Sequence, residues 1–265
     1  MLGMWWAELL NIIAGTLSSG AAAIPVSPVA GYQVWLDAND AATLTFSSGV
    51  VVSKWTDKSA NAYEFTNSTV ANQPSANGSQ NSKTTIVFDG SNDKLVSTTV
   101  SSTWKFLQGA SSATSSVFIA HKKTSTGFGI ILGTTQTSAG NVGFVVSNDD
   151  SLLNVRTTNG SIAVLADSTI SGTPFVITTV ISDQSNATVS SKMNNYKNTD
   201  SPTVSTLSSG STFTPSTSNP YANLSLGGLD YFTGTQIGEI IIYNSILSTG
   251  DRNANITYLM NKWGL

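Results

Sequence analysis

Three glutamates, twelve aspartates and a single histidine are the groups from which this chain would have to build acid–base chemistry. The glutamates are Glu8, Glu64 and Glu239. Hydrolysis of a glycosidic bond by the usual route needs two carboxylates about 5–10 Å apart, one with a raised pKa. Glu8 lies in an N-terminal apolar segment, and Glu239 stands alone in an apolar run. A carboxylate on an apolar strand must be paired or exposed on one face, and the plainer expectation is that it points outward or bonds a turn. His121 closes another apolar run beside Lys122 and Lys123, the densest basic spot in the chain. One histidine could serve a Ser-His-Asp triad, but no Gly-x-Ser-x-Gly elbow accompanies it. With no cysteine and one histidine, thiolate and histidine metal clusters are excluded. On these grounds the chain is expected not to be an enzyme.

Binding chemistry has more candidates. Asp89, Asn92 and Asp93 share one turn, and Asp149 and Asp150 share another. Hard oxygen ligands at that density could hold calcium, although neither turn follows an EF-hand pattern. The plainer reading is that these carboxylates cap turn amides. No other cofactor is indicated. A sugar surface would need exposed aromatic faces near polar groups. Tyr63, Trp104, Tyr196, Tyr221 and Tyr231 lie in turn-rich segments and are the candidates.

Composition narrows the partners. Charged residues make up 10% of the 265, and the net charge is −3. Affinity for phosphate backbones needs clustered Lys and Arg, so nucleic acid is not an expected partner. Ser, Thr, Asn and Gly replace the missing charge, a mix that suits short strands and many turns.

The elements that would position these residues fall into three parts. In residues 1–17, Leu2, Trp5, Trp6, Leu9 and Ile13 recur at helical spacing, with Glu8, Asn11 and Gly15 on a narrow polar stripe. A signal peptide would carry basic residues ahead of its apolar core, and a membrane span would need roughly 20 clean apolar residues. Neither pattern is met, so the segment reads as an anchor that packs on another protein or on copies of itself. A helix folded back onto its own domain is the alternative. Residues 18–31 form a linker stiffened by Pro25 and Pro28. From residue 32 the pattern is β. Candidate strands cover 32–36, 50–55, 84–88, 116–121, 128–132, 142–147, 152–156, 162–166, 175–181, 187–193, 223–226 and 237–243. Asn159-Gly160 predicts a tight hairpin. Many short strands without intervening helices predict an all-β sandwich or jelly roll over 32–265.

One helix closes the chain. Ser248 and Asp251 form a capping box with Asp in place of Glu. Ile256, Leu259, Met260 and Trp263 follow helical spacing, Lys262 suits the C-terminal dipole, and Gly264 can stop the helix. Its apolar stripe is expected to seal an end or edge of the sandwich.

Several stretches resemble the concanavalin A-like lectin/glucanase superfamily, in its laminin-G-like (LamG) branch found in phage and bacterial surface proteins. They are Tyr32-Gln33-Val34-Trp35-Leu36-Asp37-Ala38, Lys54-Trp55-Thr56-Asp57-Lys58-Ser59 and Val87-Phe88-Asp89-Gly90-Ser91-Asn92-Asp93. To these add Leu226-Gly227-Gly228, the run from Ile237 to Asn244, and Lys262-Trp263-Gly264-Leu265. Ala60 stands where the family usually has Gly. The resemblance implies a concanavalin A-like jelly-roll sandwich, with Trp35, Trp55, Phe88 and Trp263 in its core. Catalytic members of the superfamily carry a Glu-x-Asp-x-x-Glu strand, which is missing here. Together the anchor and the module imply a virion structural or adhesion protein of a phage, held by its N-terminus and displaying a glycan- or protein-binding sandwich at the virion surface. A secreted bacterial carbohydrate-binding module or adhesin is the alternative, and a divergent glycoside hydrolase the third.

Overall fold

The computed structural model describes residues 25–109, 113–136, 141–170, 172–232 and 234–265. The predicted N-terminal helix, with Leu2, Trp5, Trp6, Leu9 and Ile13, lies outside the described residues.

The expected all-β architecture is what forms. The strands, in chain order, begin with β1 (Val34–Asp37), β2 (Leu44–Ser48), β3 (Val51–Thr56), β4 (Glu64–Thr66), β5 (Ser75–Gln80), β6 (Lys83–Asp89) and β7 (Leu95–Ser97). They continue with β8 (Thr114–Lys123), β9 (Gly129–Gly133), β10 (Val142–Asp149), β11 (Leu152–Asn159), β12 (Ala163–Leu165) and β13 (Ser168–Thr169). The last are β14 (Phe175–Asp183), β15 (Met193–Lys197), β16 (Thr203–Val204), β17 (Thr206–Leu207), β18 (Ser225–Leu226) and β19 (Gly234–Tyr243), followed by helix α1 (Thr249–Trp263). Two antiparallel ladders result, joined where Val51 of β3 pairs with Ser75 of β5. One runs β5–β6–β19–β8–β14–β15–β16, with β1 beside the second half of β19. The other runs β2–β3–β4–β7–β18–β9–β10–β11–β12–β17.

The period-2 alternation of strands sorts side chains onto two faces. Val117 and Ile119 of β8, Val176 and Val180 of β14, and Ile240 and Ile242 of β19 face the other ladder. There they meet Leu132, Phe144, Val146, Leu153 and Val155. Their neighbours Phe118, Ala120, Ile177, Ile241 and Tyr243 point the other way, against Ile256, Tyr258, Leu259 and Trp263 of α1. The helix therefore covers a sheet face, where an end or edge was expected. Its caps form as the sequence indicates. The Ser248 hydroxyl accepts the Asp251 N–H at 3.1 Å, and Gly264 turns left-handed at φ 70°.

Two local readings change. Residues 187–193 read as a strand, yet Val189–Ser191 is a 3-10 turn and pairing starts at Met193. Lys192 explains this, because its buried ammonium binds the carbonyls of Gln184 and Asn186 and holds the chain in a turn. The end of the expected linker is docked as well. The Val29 N–H donates to Asn255 Oδ1 (2.8 Å), and the Tyr243 hydroxyl donates to the Val29 carbonyl (2.6 Å).

Candidate functional site

Glu239 overturns the expectation of an outward carboxylate. It is fully buried under α1. The cause is a bulge. β19 pairs Ile237 with His121 and Glu239 with Ala120, leaving Gly238 as the extra residue. That shift in phase puts Ile237 into the inter-sheet core and turns Glu239 toward the helix. Only glycine fits at the bulge, since a Cβ on Gly238 would lie 2.7 Å from the Trp263 ring.

Four donors converge on the buried carboxylate. Trp35 Nε1 (2.6 Å) and the Tyr258 hydroxyl (2.7 Å) reach Oε1, while Trp263 Nε1 (3.1 Å) and Lys262 Nζ (2.8 Å) reach Oε2. An all-donor shell is what an ionised carboxylate requires. Burial pushes the Glu239 carboxyl above the usual range, with Asp37 acting the same way and Lys262 opposing. Lys262 also binds Asp37 (2.8 Å), and Lys58 ties Asp37 (3.3 Å) to Asp40 (2.7 Å) while lying 4.1 Å over the Trp35 ring. Burial and the neighbouring Glu239 raise the Tyr258 phenol, whose hydroxyl donates to the carboxylate. The network clamps α1 to β19 and β1. A depression of about 510 Å³ lined by Trp35, Lys58, Lys83 and Lys262 opens beside it.

A second constellation lies at the other end of the helix. Arg252, in the first turns of α1, rests 4.5 Å from the centre of the Tyr196 ring, and its Nη1 donates to the Tyr196 hydroxyl (2.8 Å). Among the described residues its guanidinium has no carboxylate partner. The turn after β15 supplies the opposite wall. Asn198 is held there by the Ile177 N–H (2.8 Å), and Asp200 by Lys197 (3.2 Å). Between these walls is a cleft of about 430 Å³, also lined by Ser201, Asn253 and Thr257. It offers an aromatic ring, a guanidinium, amides and hydroxyls within one concavity.

The other aromatic candidates divide. Trp104 is corrected to the core. The 3-10 turn Ser101–Leu107 buries it completely with Leu107, and Tyr63 packs edge-on to it at 5.0 Å. Tyr221 and Tyr231 are exposed, at 56% and 42%, and Tyr231 leans on Phe128 at 5.4 Å. Of the five, Tyr196 alone lines the cleft just described.

The acidic turns cap backbone amides. Asp89 Oδ1 accepts the Ser91 N–H (2.8 Å), Asp93 Oδ2 accepts the Asp89 N–H (3.0 Å), and Asp150 Oδ1 accepts the Gly127 N–H (2.9 Å). Among the described residues, no three His, Cys, Asp or Glu side chains gather as a metal site would require. Nor, among those residues, is any helix long and apolar enough to cross a membrane.

No protein-family model matches the chain, and comparison with curated proteins finds no match either. Solved structures share its fold. A Trypanosoma rangeli sialidase, in complex with 2,3-difluorosialic acid as a covalent intermediate, superposes with a TM-score of 0.57 at 12% identity, over 97% of this chain and 38% of the sialidase. The binding domain of botulinum neurotoxin DC, in complex with rat synaptotagmin II, gives 0.57 at 12% identity, over 86% of this chain and 51% of that one. The serotype G binding domain gives 0.53 at 10% identity, covering 87% and 51%. The chain thus spans less than two thirds of each, and the likeness is one of fold.

This likeness corrects the expectation of a non-enzyme, because sialidases, which are enzymes, carry the fold. Counting glutamates tests only the two-carboxylate scheme, and glycosidases with a tyrosine nucleophile fall outside it.

Proposed function

We propose that the chain is a glycan-binding β-sandwich of the LamG-like kind, with its sugar site in the cleft between α1 and the turn after β15. The observation that carries this reading is the pairing of Tyr196 with Arg252 over a cavity edged by Asn198, Ser201, Asn253 and Thr257. Sugars present apolar C–H faces and a rim of hydroxyls, and this set supplies a ring for the first and donors and acceptors for the second. The shared fold with toxin binding domains supports a recognition role. Glycan-array screening followed by calorimetry tests it. Arg252→Gln should weaken binding of the retained glycan by about tenfold, the cost of a hydrogen bond to a charged group, and Tyr196→Ala should weaken it through loss of the ring, while the unfolding midpoint of Arg252→Gln barely moves. Retention of no glycan, or unchanged affinity in both variants, would overturn the reading.

The module is further proposed to be displayed on a phage particle through residues 1–17. The apolar helical pattern of Leu2, Trp5, Trp6, Leu9 and Ile13 supports this. Deleting residues 1–20 should abolish incorporation into particles and leave a folded domain. A truncated chain that misfolds would place the segment in the sandwich's own core instead.

A further inference from the structure

Lys123 is a buried cation with too few partners. Along β8 the residues Val117, Ile119, His121 and Lys123 alternate onto the inward face, so the last of them carries an ammonium under the rim of the sandwich. Only 6% of Lys123 is exposed. Its ammonium donates to the Asp150 carbonyl at 2.7 Å. Among the described residues it has no other hydrogen bond and no ion pair. An ammonium has three protons to place, and a buried charge without a counter-charge is destabilising. Lys192, the other lysine buried to this degree among the described residues, places its ammonium on two carbonyls, so Lys123 with one is the less satisfied of the two.

Lys123 also lines a cavity of about 370 Å³. Its walls are the β8–β9 loop with Thr124 and Thr126, the β10–β11 turn with Asp150 and Ser151, and the stretch around Ile170 and Thr173. Most of its wall is apolar, with Ile170 on one side, and Thr124, Thr126, Ser151 and Thr173 are the hydroxyl-bearing residues around it. The acidic groups nearby are Asp149 and Asp150. The Asp150 carboxylate is turned toward the loop, where it accepts the Gly127 N–H, so the backbone carbonyl of Asp150 is what meets the lysine. Lys122 lies on the opposite face of the strand. His121, two residues earlier, is buried and held neutral at pH 7.

We propose that this cavity is an oxyanion-binding subsite, in which Lys123 pairs with the carboxylate of a small acidic sugar, the apolar wall meets the C–H face of its ring and the hydroxyl-bearing residues bond its hydroxyl groups. The volume suits one monosaccharide, and a charge-assisted bond in a sheltered site would supply most of the selectivity. The site lies apart from the Tyr196 cleft and does not depend on it.

Calorimetry on the full chain would use glucuronate, glucose as its neutral analogue and inorganic sulfate. Glucuronate should bind at least tenfold tighter than glucose. Lys123→Met should lose that preference, Lys123→Arg should keep it, and Tyr196→Ala should leave it untouched. Sulfate competing as well as glucuronate would make the subsite a general oxyanion site; sulfate failing to compete would make it specific for the sugar acid. Unfolding supplies the second readout. A functional lysine left without a counter-charge predicts that Lys123→Met, without ligand, holds or raises the urea midpoint. Equal binding of glucose and glucuronate, or a lowered midpoint with unchanged glucuronate binding, would make Lys123 structural and overturn the proposal. Should the methionine variant fail to fold, amide shifts on the wild-type chain decide. Glucuronate must move the resonances of Thr124 to Gly127, and shifts confined elsewhere overturn the site.

Discussion

Lys262→Met is expected to destabilise the fold by about 3–5 kcal/mol, the cost of leaving a buried carboxylate without its counter-charge. The carboxylate is Glu239, which has no exposed surface, and Lys262 is the cation that reaches both it and Asp37. Three neutral donors would remain around Glu239, and they cannot replace the Coulomb term inside the protein. Glu239→Gln should cost less, because an amide oxygen can still accept from Trp35 and Tyr258. Its NH₂ would then face the Trp263 N–H and the Lys262 ammonium, both donors. The double variant is the decisive measurement. Removing both charges removes both unpaired ions, so the pair should be much less damaging than the sum of the singles. Urea unfolding at constant m-value reads all three. Strict additivity would show that the two charges do not act on each other. The same network predicts where the damage falls, since α1 is clamped to the sheet through this cluster and amide exchange along α1 should rise before exchange in β8.

That cluster also marks where sequence reading works and where it stops. The ends of α1 were legible because capping is local: Ser248, Asp251 and Gly264 act within one turn of their own positions. The Asn159-Gly160 hairpin was legible for the same reason. Asn159 Oδ1 caps the N–H groups of Ser161 and Ile162, and Gly160 takes φ 95°. Long apolar strands such as β8, β14 and β19 announce themselves by composition. β5 does not, since its sequence Ser-Ala-Asn-Gly-Ser-Gln has no apolar run and is a strand because β6 offers it a ladder. Trp104 and Tyr196 sit in similar polar surroundings in sequence, but tertiary packing buries the first and leaves the second beside a cleft. Glu239 was misread because its direction depends on a one-residue bulge, for which Gly238 was the available signal. Arg252 left a fainter one: a cation in the first turn of a helix opposes the dipole, and such a placement calls for another purpose.

His121 sets the response of the fold to acid. Its ring is wholly buried on the inter-sheet face, with Nε2 2.8 Å from the Thr178 hydroxyl and Nδ1 without a partner among the described residues. Burial pushes its pKa down from 6.5 to about 4. Between those two values the unfolded chain binds a proton that the folded chain refuses, so stability is lost as pH falls from about 6.5 toward about 4 and levels off below. A shift of that size corresponds to about 3 kcal/mol. Asp93 works in the opposite direction. Burial, aided by Asp89, raises its carboxyl from 3.8 to about 6, so its contribution is present at low pH and fades as pH rises through about 6. These two terms oppose each other, with the buried carboxyls of Glu239 and Asp167 acting on the Asp93 side, so the wild-type curve should look flatter than the histidine term alone. Substitution separates them. His121→Leu should remove the acid-side loss and leave a protein whose stability rises as pH falls from about 6 to 4. Asp93→Asn should leave the histidine term alone and steepen the loss over the same window. Urea midpoints taken at half-unit steps of pH would show both slopes. Parallel curves for wild type and His121→Leu would mean that the ring takes up its proton in the folded state, with the sheets parting enough to let water reach Nδ1.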